Sequence, residues 1–388
     1  MNPLKYFKIF DRETCPCGSG KNYIDCCKSR GDKKQKPSKK PLDVQILEKL
    51  RKSLFKCCLH PDKNHCVRHI KEAHALQNNK IISELSENGH VYIMNFKKPP
   101  LIIPIEGEEP EIMTEIGKVG VNHATTATCF CDLHDDVTFA AIEKGAPAFD
   151  KESDEHKFLY AYKAFIFEYY KKLVERNGLI NEIKETPSLL KKPLFVQQYR
   201  AISMTINEMQ TVKNFFDKRI LNKDYSDIET CVIEIDGKIN FANYACIALD
   251  FDLEGKKIKN VKKGFMSRLF VTVFPEETKS YILLSCLKDD YRIYKNLFLQ
   301  MKRMTIGKIK YYFDLVLPLY SENVVISPRL WEKWNDEQKN AYTFYANRKG
   351  KQFLVYRKAL LFGMHNIRKV NDGFGEGQRG KLDLFEKI

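Results

Sequence analysis

The sequence contains no long apolar run. No stretch approaches the roughly 18 consecutive apolar residues that a membrane-spanning helix requires, so we expect no membrane partner. The first residues, MNPLKYFKIFDRE, also lack the apolar segment and the small-residue cleavage site of a secretory signal peptide. These two absences predict a protein of the cytoplasm or an equivalent reducing compartment.

Cysteine is sparse beyond the first third of the chain. Nine of the twelve cysteines lie before residue 132. In a reducing compartment, cysteines form metal sites more often than disulfides. The asymmetry therefore predicts that the metal chemistry is confined to the first third of the sequence.

Acidic residues are fewer than basic ones, 50 against 65, which gives a net charge of +15. Such a balance favours polyanionic partners. Basic residues displace counterions from the phosphates of a nucleic acid, and their field attracts the nucleic acid toward the protein. Residues 28–42 alone hold seven basic side chains and one acidic one, and this run is equally consistent with a solvated linker. The rest of the excess is spread along the chain, so DNA or RNA is the expected partner.

A glycine-rich turn between two cysteine pairs occupies residues 15–27, CPCGSGKNYIDCC. It is not a phosphate-binding P-loop, because Lys21 precedes Asn22 rather than Ser or Thr, and no buried strand comes before it. Four thiolates instead suit a tetrahedral zinc ion, with Gly18 and Gly20 allowing a sharp turn. The predicted ligands are Cys15, Cys17, Cys26 and Cys27.

This pattern resembles the SEC-C zinc motif, which is found at the end of bacterial SecA and as a small module in many other proteins. The four ligand positions, the glycines and Tyr23 are all present. The resemblance implies zinc and a docking surface for a protein or a nucleic acid, and it implies no catalysis.

A second group of cysteines and histidines lies in KCCLHPDKNHCVRHIKEAHALQ, residues 56–77, and ATCFCDLHDDVTF, residues 127–139. Two pairs separated by an insert suit a treble-clef-like site for a second structural zinc ion. The predicted ligands are Cys58, Cys66, Cys131 and His134. The alternative ligands, which the sequence does not rule out, are Cys57, His60 and Cys129.

His74 lies between these two pairs, in an arrangement that resembles HNH-type nucleases. In that family the first histidine activates water beside a divalent ion, Mg²⁺ or Mn²⁺. The resemblance implies His74 as the general base, Asp135 or Glu143 as an aid to the ion, and a role in antiviral genome defence. The Asn and the last His of the family are missing at their usual spacing. The alternative to a nuclease is therefore a non-catalytic adaptor that docks a protein partner through the SEC-C motif. In such an adaptor His74 would have a structural role.

A wider resemblance covers residues 44 to about 350. The succession CLHP, IKEAHALQ, GHVYIMN, CFCDLHDDVTFAAIE and ISPRLWEKW looks like a family of bacterial proteins that are often joined to a SEC-C motif. It implies that this region is one unit and does not imply a particular reaction.

The remaining pattern predicts an α+β protein. Helical spacing marks residues 155–176, whose aromatic stripe is typical of core, and residues 194–221. A period of two predicts four antiparallel strands between about 230 and 287. The predicted domains are a zinc motif at 1–28, a basic flexible linker at 29–43, a Cys/His-rich zinc region at 44–150, and a helical plus antiparallel-sheet domain at 151–388.

Overall fold

The structure is a computed structural model, and it describes residues 6–33, 38–107, 110–143, 148–262, 264–347 and 382–388. Residues 34–37 of the predicted linker lie outside the described residues. No helix in the described part of the chain has the length and apolar character needed to cross a membrane.

The chain mixes strands and helices throughout. The strands are β1 (Ile70–His74), β2 (His90–Met94), β3 (Leu101–Ile103), β4 (Glu111–Met113), β5 (Ile116–Gly120), β6 (Thr126–Cys131), β7 (Ile228–Asp236), β8 (Phe241–Ile247), β9 (Val261–Lys262), β10 (Phe265–Met266), β11 (Leu269–Pro275), β12 (Lys279–Leu287) and β13 (Val325–Ile326). The α-helices are α1 (Leu42–Ser53), α2 (Ser83–Leu85), α3 (Asp132–Thr138), α4 (Asp154–Glu185), α5 (Pro193–Asn222), α6 (Tyr291–Arg303), α7 (Ile306–Tyr320), α8 (Pro328–Lys333) and α9 (Asp336–Ala346).

Seven strands form one antiparallel sheet in the order β5-β2-β13-β8-β11-β12-β7. The four strands predicted between residues 230 and 287 are β7, β8, β11 and β12, and they lie side by side. The predicted four-stranded sheet is nevertheless too small. Strand β13 joins β8 to β2 through Ile326, which is paired with both Phe241 and Tyr92. These segments are so distant in sequence that local periodicity does not reveal their pairing. The sheet thus takes strands from both sides of residue 150.

Helices cover both faces of this sheet, which is why its central strands are apolar at consecutive positions. On β11, Phe270 and Phe274 pack in the core that contains α4 and α5, whereas Val271 and Val273 pack in the core that contains α6 and α7. The alternation follows from the two-residue period of a strand. The result is a layer of sheet between two layers of helices.

The aromatic stripe of α4 forms the centre of the first core. Phe158, Phe165 and Phe167 are at most 1% exposed, which confirms that the stripe is packed in the protein. The helix begins after Ser153, whose side-chain oxygen accepts a hydrogen bond from the backbone N–H of His156 at 3.2 Å. Such an N-cap satisfies one of the free amide groups of the first turn.

A separate two-stranded ladder of β1 and β6 leads directly into α3. Ile70 pairs with Cys131 and His74 pairs with Thr126. Residues 75–125 form a long insert between the two strands, and this insert supplies β2 and β5 to the large sheet. The ladder brings the segment before β1 beside the start of α3, although about 65 residues separate them in sequence.

Candidate metal centres

The sulfur atoms of the four N-terminal cysteines converge on one point. The ligand atoms of Cys15, Cys17, Cys26 and Cys27 all lie within 4.8 Å of one another. The Sγ atom of Cys26 is 3.5 Å from that of Cys17 and 4.0 Å from that of Cys27. Sulfur ligands at about 2.3 Å from a tetrahedral zinc ion are about 3.8 Å apart. The spacing of this cluster therefore fits zinc.

A tight backbone turn sets the two cysteine pairs side by side. The N–H of Cys15 donates to the carbonyl of Lys21 at 2.8 Å, and Gly18 and Gly20 have φ angles of +78° and +75°. These values are in the left-handed region, which only glycine adopts at little cost. Burial acts to raise the pKa of Cys17, but hydrogen bonds with Ser19 and the neighbouring thiols lower it to about 6. Cys17 is thus prone to form the thiolate that binds metals.

The second cluster is centred on the Nδ1 atom of His134. This atom lies 3.5 Å from Cys58 Sγ, 3.6 Å from Cys66 Sγ and 3.2 Å from Cys131 Sγ. A sulfur and a nitrogen bound to one tetrahedral zinc ion are about 3.6 Å apart. The four ligand atoms also lie within 4.8 Å of one another. The spacing and the donor set of three sulfurs and one imidazole are consistent with zinc at this cluster as well.

Two structural elements supply the ligands of the second cluster. Cys131 is the N-cap residue of α3 and His134 lies in its first turn, so the Cys-x-x-His spacing places both on one side of the helix start. Cys58 and Cys66 come from the loop that precedes β1. Burial opposes ionisation of Cys131, but the backbone N–H groups of His134 and Val67 lower its pKa.

The three alternative ligands lie outside this cluster. Cys129 is fully buried, and Cys57 packs against the same apolar core. The ring of His60 stacks on that of His134, with centroids 3.9 Å apart and an interplanar angle of 15°. Burial, aided by His134, lowers the pKa of His60 to about 4. His60 therefore supports the ring of a ligand as a neutral imidazole.

His74 lies at the end of β1 and is not part of the second cluster. Its Nδ1 atom is 3.0 Å from the carbonyl oxygen of Ala124. A carbonyl only accepts hydrogen bonds, so Nδ1 carries the proton and the lone pair remains on Nε2. Burial, followed by the positive charge of Lys163, lowers the pKa of His74 despite its bond to Ala124. The imidazole is thus neutral near pH 7, the state required of a general base.

Asp135 lies on α3 and is buried, with 3% of its surface exposed. Its Oδ2 atom accepts from Lys71 Nζ at 3.0 Å, and Lys71 also contacts Asp136 Oδ1 at 2.9 Å. The other oxygen, Oδ1, has no hydrogen-bond partner among the described residues. Buried carboxylates normally fill both oxygens with partners, so this atom is an open acceptor.

Glu143 follows a short 3₁₀ turn and forms an ion pair with Lys163 of α4. Lys163 is 3% exposed, and its Nζ atom lies 4.6 Å from the centroid of the Phe139 ring. Burial lowers the pKa of Lys163 to about 8, against the opposing effect of the Asp135 charge. Lys163 thus pairs with Glu143 and acts through its charge on His74 and Asp135, whereas these three predicted catalytic residues do not form a metal-binding cluster in the described part of the chain.

Sequence reasoning missed Lys163. It lies within LYAYKAFIF, where every neighbour at helical spacing is apolar or aromatic. A lysine on the buried face of such a helix needs an oppositely charged partner. The position of Lys163 in the sequence therefore indicates a buried ion pair.

Comparison with known proteins singles out the first cluster. The family model described as the SEC-C motif matches residues 12–29. The chain contains a SEC-C motif. No curated protein and no solved structure matches the chain.

The SEC-C motif packs against the turn between α4 and α5. Its cysteines share an apolar cluster with side chains from both helices and from the turn, namely Ile183, Leu190 and Val196. Arg200 of α5 adds polar contacts, since its Nη2 atom donates to the carbonyl of Lys8 at 2.7 Å and to Glu13 Oε2 at 2.6 Å. The motif is therefore seated on the body of the protein.

Arg30 connects the first cluster to the end of α4. Its Nη2 atom lies 3.4 Å from Cys27 Sγ, 3.5 Å from the carbonyl oxygen of Ile183 and 3.4 Å from that of Lys184. A guanidinium suits this position, because the last carbonyls of a helix are unpaired and carry partial negative charge. One of the basic residues of the 28–42 run thus has a structural role.

Proposed function

We propose that the protein is a two-zinc protein that binds nucleic acid. The observation that carries the zinc assignment is the agreement of both clusters with the edges of a zinc tetrahedron, 3.5–4.0 Å in the first and 3.2–3.6 Å in the second. Both ions are structural in this proposal, since four protein ligands leave no open position for a substrate.

The surroundings of the second cluster support a treble-clef-like site. Two ligands precede a strand, the strand pairs with a second one, and the second strand leads into a helix whose first turn supplies the other two ligands. The zinc ion would hold the loop before β1 against the start of α3. The segments are also joined by the β1–β6 ladder and by backbone hydrogen bonds from Cys57 to Thr128 and from Leu59 to Cys129, and the ion would add to the stability that these contacts provide.

Elemental analysis of protein prepared without chelators tests the assignment. We expect two zinc ions per chain. A zinc content below one ion per chain would contradict both sites. A content of one ion would show that only one cluster binds zinc, and Cys→Ser variants of each cluster would then identify which one.

A nucleic-acid partner is supported by charge. The net charge of +15 attracts phosphates and predicts binding that weakens steeply with salt. Titration of labelled DNA and RNA at several salt concentrations tests this. A variant without residues 1–43 removes the SEC-C motif and most of the basic run: loss of binding would assign recognition to residues 1–43, and retained binding would assign it to residues 44–388.

A nuclease is a second candidate, favoured by the state of His74. An imidazole with its proton fixed on Nδ1 and a lowered pKa presents Nε2 as a base toward water. Asp135 and Glu143 would hold a Mg²⁺ or Mn²⁺ ion, which supplies positive charge to a leaving oxygen. The open Oδ1 of Asp135 fits that role, whereas Lys71 contacts Asp135 Oδ2 and Lys163 contacts Glu143 Oε1. Cleavage assays with each ion, on DNA and on RNA, test this candidate.

An adaptor without catalysis is the alternative. It is favoured by exposed apolar side chains on and beside the SEC-C motif, where Phe7, Phe10 and Ile24 are 41%, 38% and 43% exposed. Such side chains suit a protein partner. A protein that retains two zinc ions, binds nucleic acid and cleaves neither DNA nor RNA would support this candidate over the nuclease.

A further inference from the structure

The hairpin of β9 and β10 combines basic and exposed apolar side chains. Residues 255–268, which we call the basic hairpin, contain six basic residues and no acidic one. Val261, Phe265 and Met266 are 59%, 53% and 40% exposed. Large apolar side chains grouped on a surface mark binding sites more often than chance exposure does.

The base of the basic hairpin is fixed to the core. Ile258 is 7% exposed and belongs to the core that contains α6 and α7. Ser267 is 5% exposed. Its N–H donates to the carbonyl of Asn260 at 2.8 Å, and its carbonyl accepts from the hydroxyl of Tyr294 at 2.6 Å. The exposed side chains are therefore presented by an anchored element.

A cleft of about 550 Å³ lies beside the basic hairpin. Its cationic side chains are Lys262, Lys288 and Arg292, and Asp289 is the one carboxylate that lines it. Lys262 Nζ contacts the carbonyl oxygen of Asp289 at 2.7 Å and Asp290 Oδ1 at 3.4 Å, and Lys288 lies 3.9 Å from Asp227 Oδ1. Arg292 and the exposed Lys257 and Lys259 of the hairpin form no ion pair within the described residues, so their charge is available to an anionic ligand that is long enough to continue along the hairpin.

We propose that the basic hairpin and this cleft bind single-stranded nucleic acid. The proposal rests on the nucleic-acid binding proposed above and locates it. Phe265, with Val261 and Met266, would contact the face of a base, while Lys262 and Arg292 would contact the phosphates. Aromatic stacking beside a basic groove is how many proteins hold single strands. In a duplex the base faces are covered by their neighbours, so the exposed apolar side chains would gain little.

Fluorescence anisotropy with a labelled 20-nucleotide strand, as DNA and as RNA, tests the proposal on the full-length, zinc-loaded protein. We expect Phe265→Ala to weaken binding of the single strand about fivefold to 100-fold. Arg292→Ala should reduce the dependence of binding on salt by about 0.7 in the logarithmic slope, as expected for one lost phosphate contact. A duplex of the same sequence should bind more weakly and respond little to Phe265→Ala.

The matched controls are Leu194→Ala and Lys218→Ala, which alter exposed residues on α5, a helix of the opposite layer. They should bind as the wild type does. If the wild type binds but the hairpin variants bind equally well, the location is wrong and the proposed function stands. If the wild type binds neither strand nor duplex, the proposed function itself fails. Stronger binding to phosphatidylserine vesicles than to the strand, lost in Phe265→Ala, would overturn the proposal in favour of a membrane surface.

Discussion

His74 donates a hydrogen bond from Nδ1 to the carbonyl oxygen of Ala124, 3.0 Å away. The two residues are 50 positions apart, and the bond joins the end of β1 to the turn that precedes β6. It fixes both the orientation of the ring and its tautomer. A bond of this kind is what a base needs, and it is equally what a structural histidine would make, so variants are required to separate the two roles.

We expect His74→Ala to abolish any cleavage activity while leaving two zinc ions bound and nucleic-acid affinity unchanged. A general base contributes about 10²–10⁴-fold to the rate and acts in the transition state. The measurement is cleavage rate beside zinc content and binding affinity. His123→Ala is the matched control, because His123 lies near the same turn and is exposed. Loss of zinc or of folding in His74→Ala would instead identify a structural histidine.

The pH profile of cleavage should reflect the environment of His74. Burial and the charge of Lys163 lower its pKa, so the midpoint of the rise in rate with pH should lie below about pH 6.5, the usual pKa of histidine. Lys163→Met removes the positive charge that lowers the pKa of His74. The rise in cleavage rate with pH should therefore shift to higher pH in this variant. Because the folded protein binds this proton more weakly than the unfolded chain does, the same group lowers stability as pH falls below about 6.5. If Lys163→Met folds normally and its cleavage rate rises over the same pH range as that of the wild type, His74 is not the titrating base.

Cys131→Ser should reduce the zinc content from two ions to one and lower the melting temperature more than Cys246→Ser does. Both cysteines are buried, at 0% and 8% exposure, so the two changes are matched in burial and in chemistry. Only Cys131 belongs to a four-ligand cluster, where metal binding is coupled to folding. Elemental analysis and thermal unfolding provide the measurement. Equal effects of the two changes would indicate ordinary buried thiols.

The two clusters differ in how well a sequence predicts them. Cys15, Cys17, Cys26 and Cys27 lie within thirteen residues, so a local motif is enough to name them. The ligands of the second cluster come from two segments that are distant in sequence and that tertiary pairing brings together. The sequence therefore left Cys57, His60 and Cys129 as alternatives, and the choice depended on tertiary geometry.

The same difference between local and long-range contacts explains why the sequence predicts only part of the sheet. Strands β7, β8, β11 and β12 follow one another with a clear period of two, and the sequence predicts them. Strands β2, β5 and β13 are five, five and two residues long, and β2 and β5 join the large sheet only through β13, which is distant in the chain. Local periodicity indicates a strand but not its neighbour. The ion pair of Lys163 with Glu143 was equally out of reach, since helical spacing places Lys163 inside the protein without indicating its partner.

Arg30→Ala should loosen the contact of the SEC-C motif with the α4–α5 turn without removing its zinc ion. Hydrogen bonds made by charged groups contribute about 1.5–3 kcal/mol each, and Arg30 reaches both Cys27 and the end of α4. We expect amide exchange in residues 183–196 to increase about tenfold or more, as measured by mass spectrometry. Lys28→Ala is the control, because Lys28 pairs with Asp11 within the motif itself. Equal exchange in the two variants would show that Arg30 does not hold the motif in place.

Asp314→Asn should stabilise the protein at neutral and alkaline pH. Asp314 is 5% exposed, and its Oδ1 atom accepts from the N–H of Leu384 at 2.7 Å. The other oxygen, Oδ2, is buried without a hydrogen-bond partner among the described residues. Burial, followed by the negative charge of Asp383, raises the pKa of this carboxyl well above its ordinary value. Asn keeps the acceptor for Leu384 and removes the buried charge.

The sign of the pH dependence follows from that raised pKa. A carboxyl that binds its proton more tightly in the folded state contributes stability that is complete below the unfolded pKa, near 3.9. This contribution is lost as pH rises through the folded pKa. Asp314→Asn should therefore exceed the wild type by about 1–3 kcal/mol in unfolding free energy at pH 8, and the difference should shrink toward pH 4. Urea unfolding at several pH values measures it, with the exposed Asp289→Asn as the matched control. A difference that stays constant with pH would show that the carboxyl does not titrate between these limits.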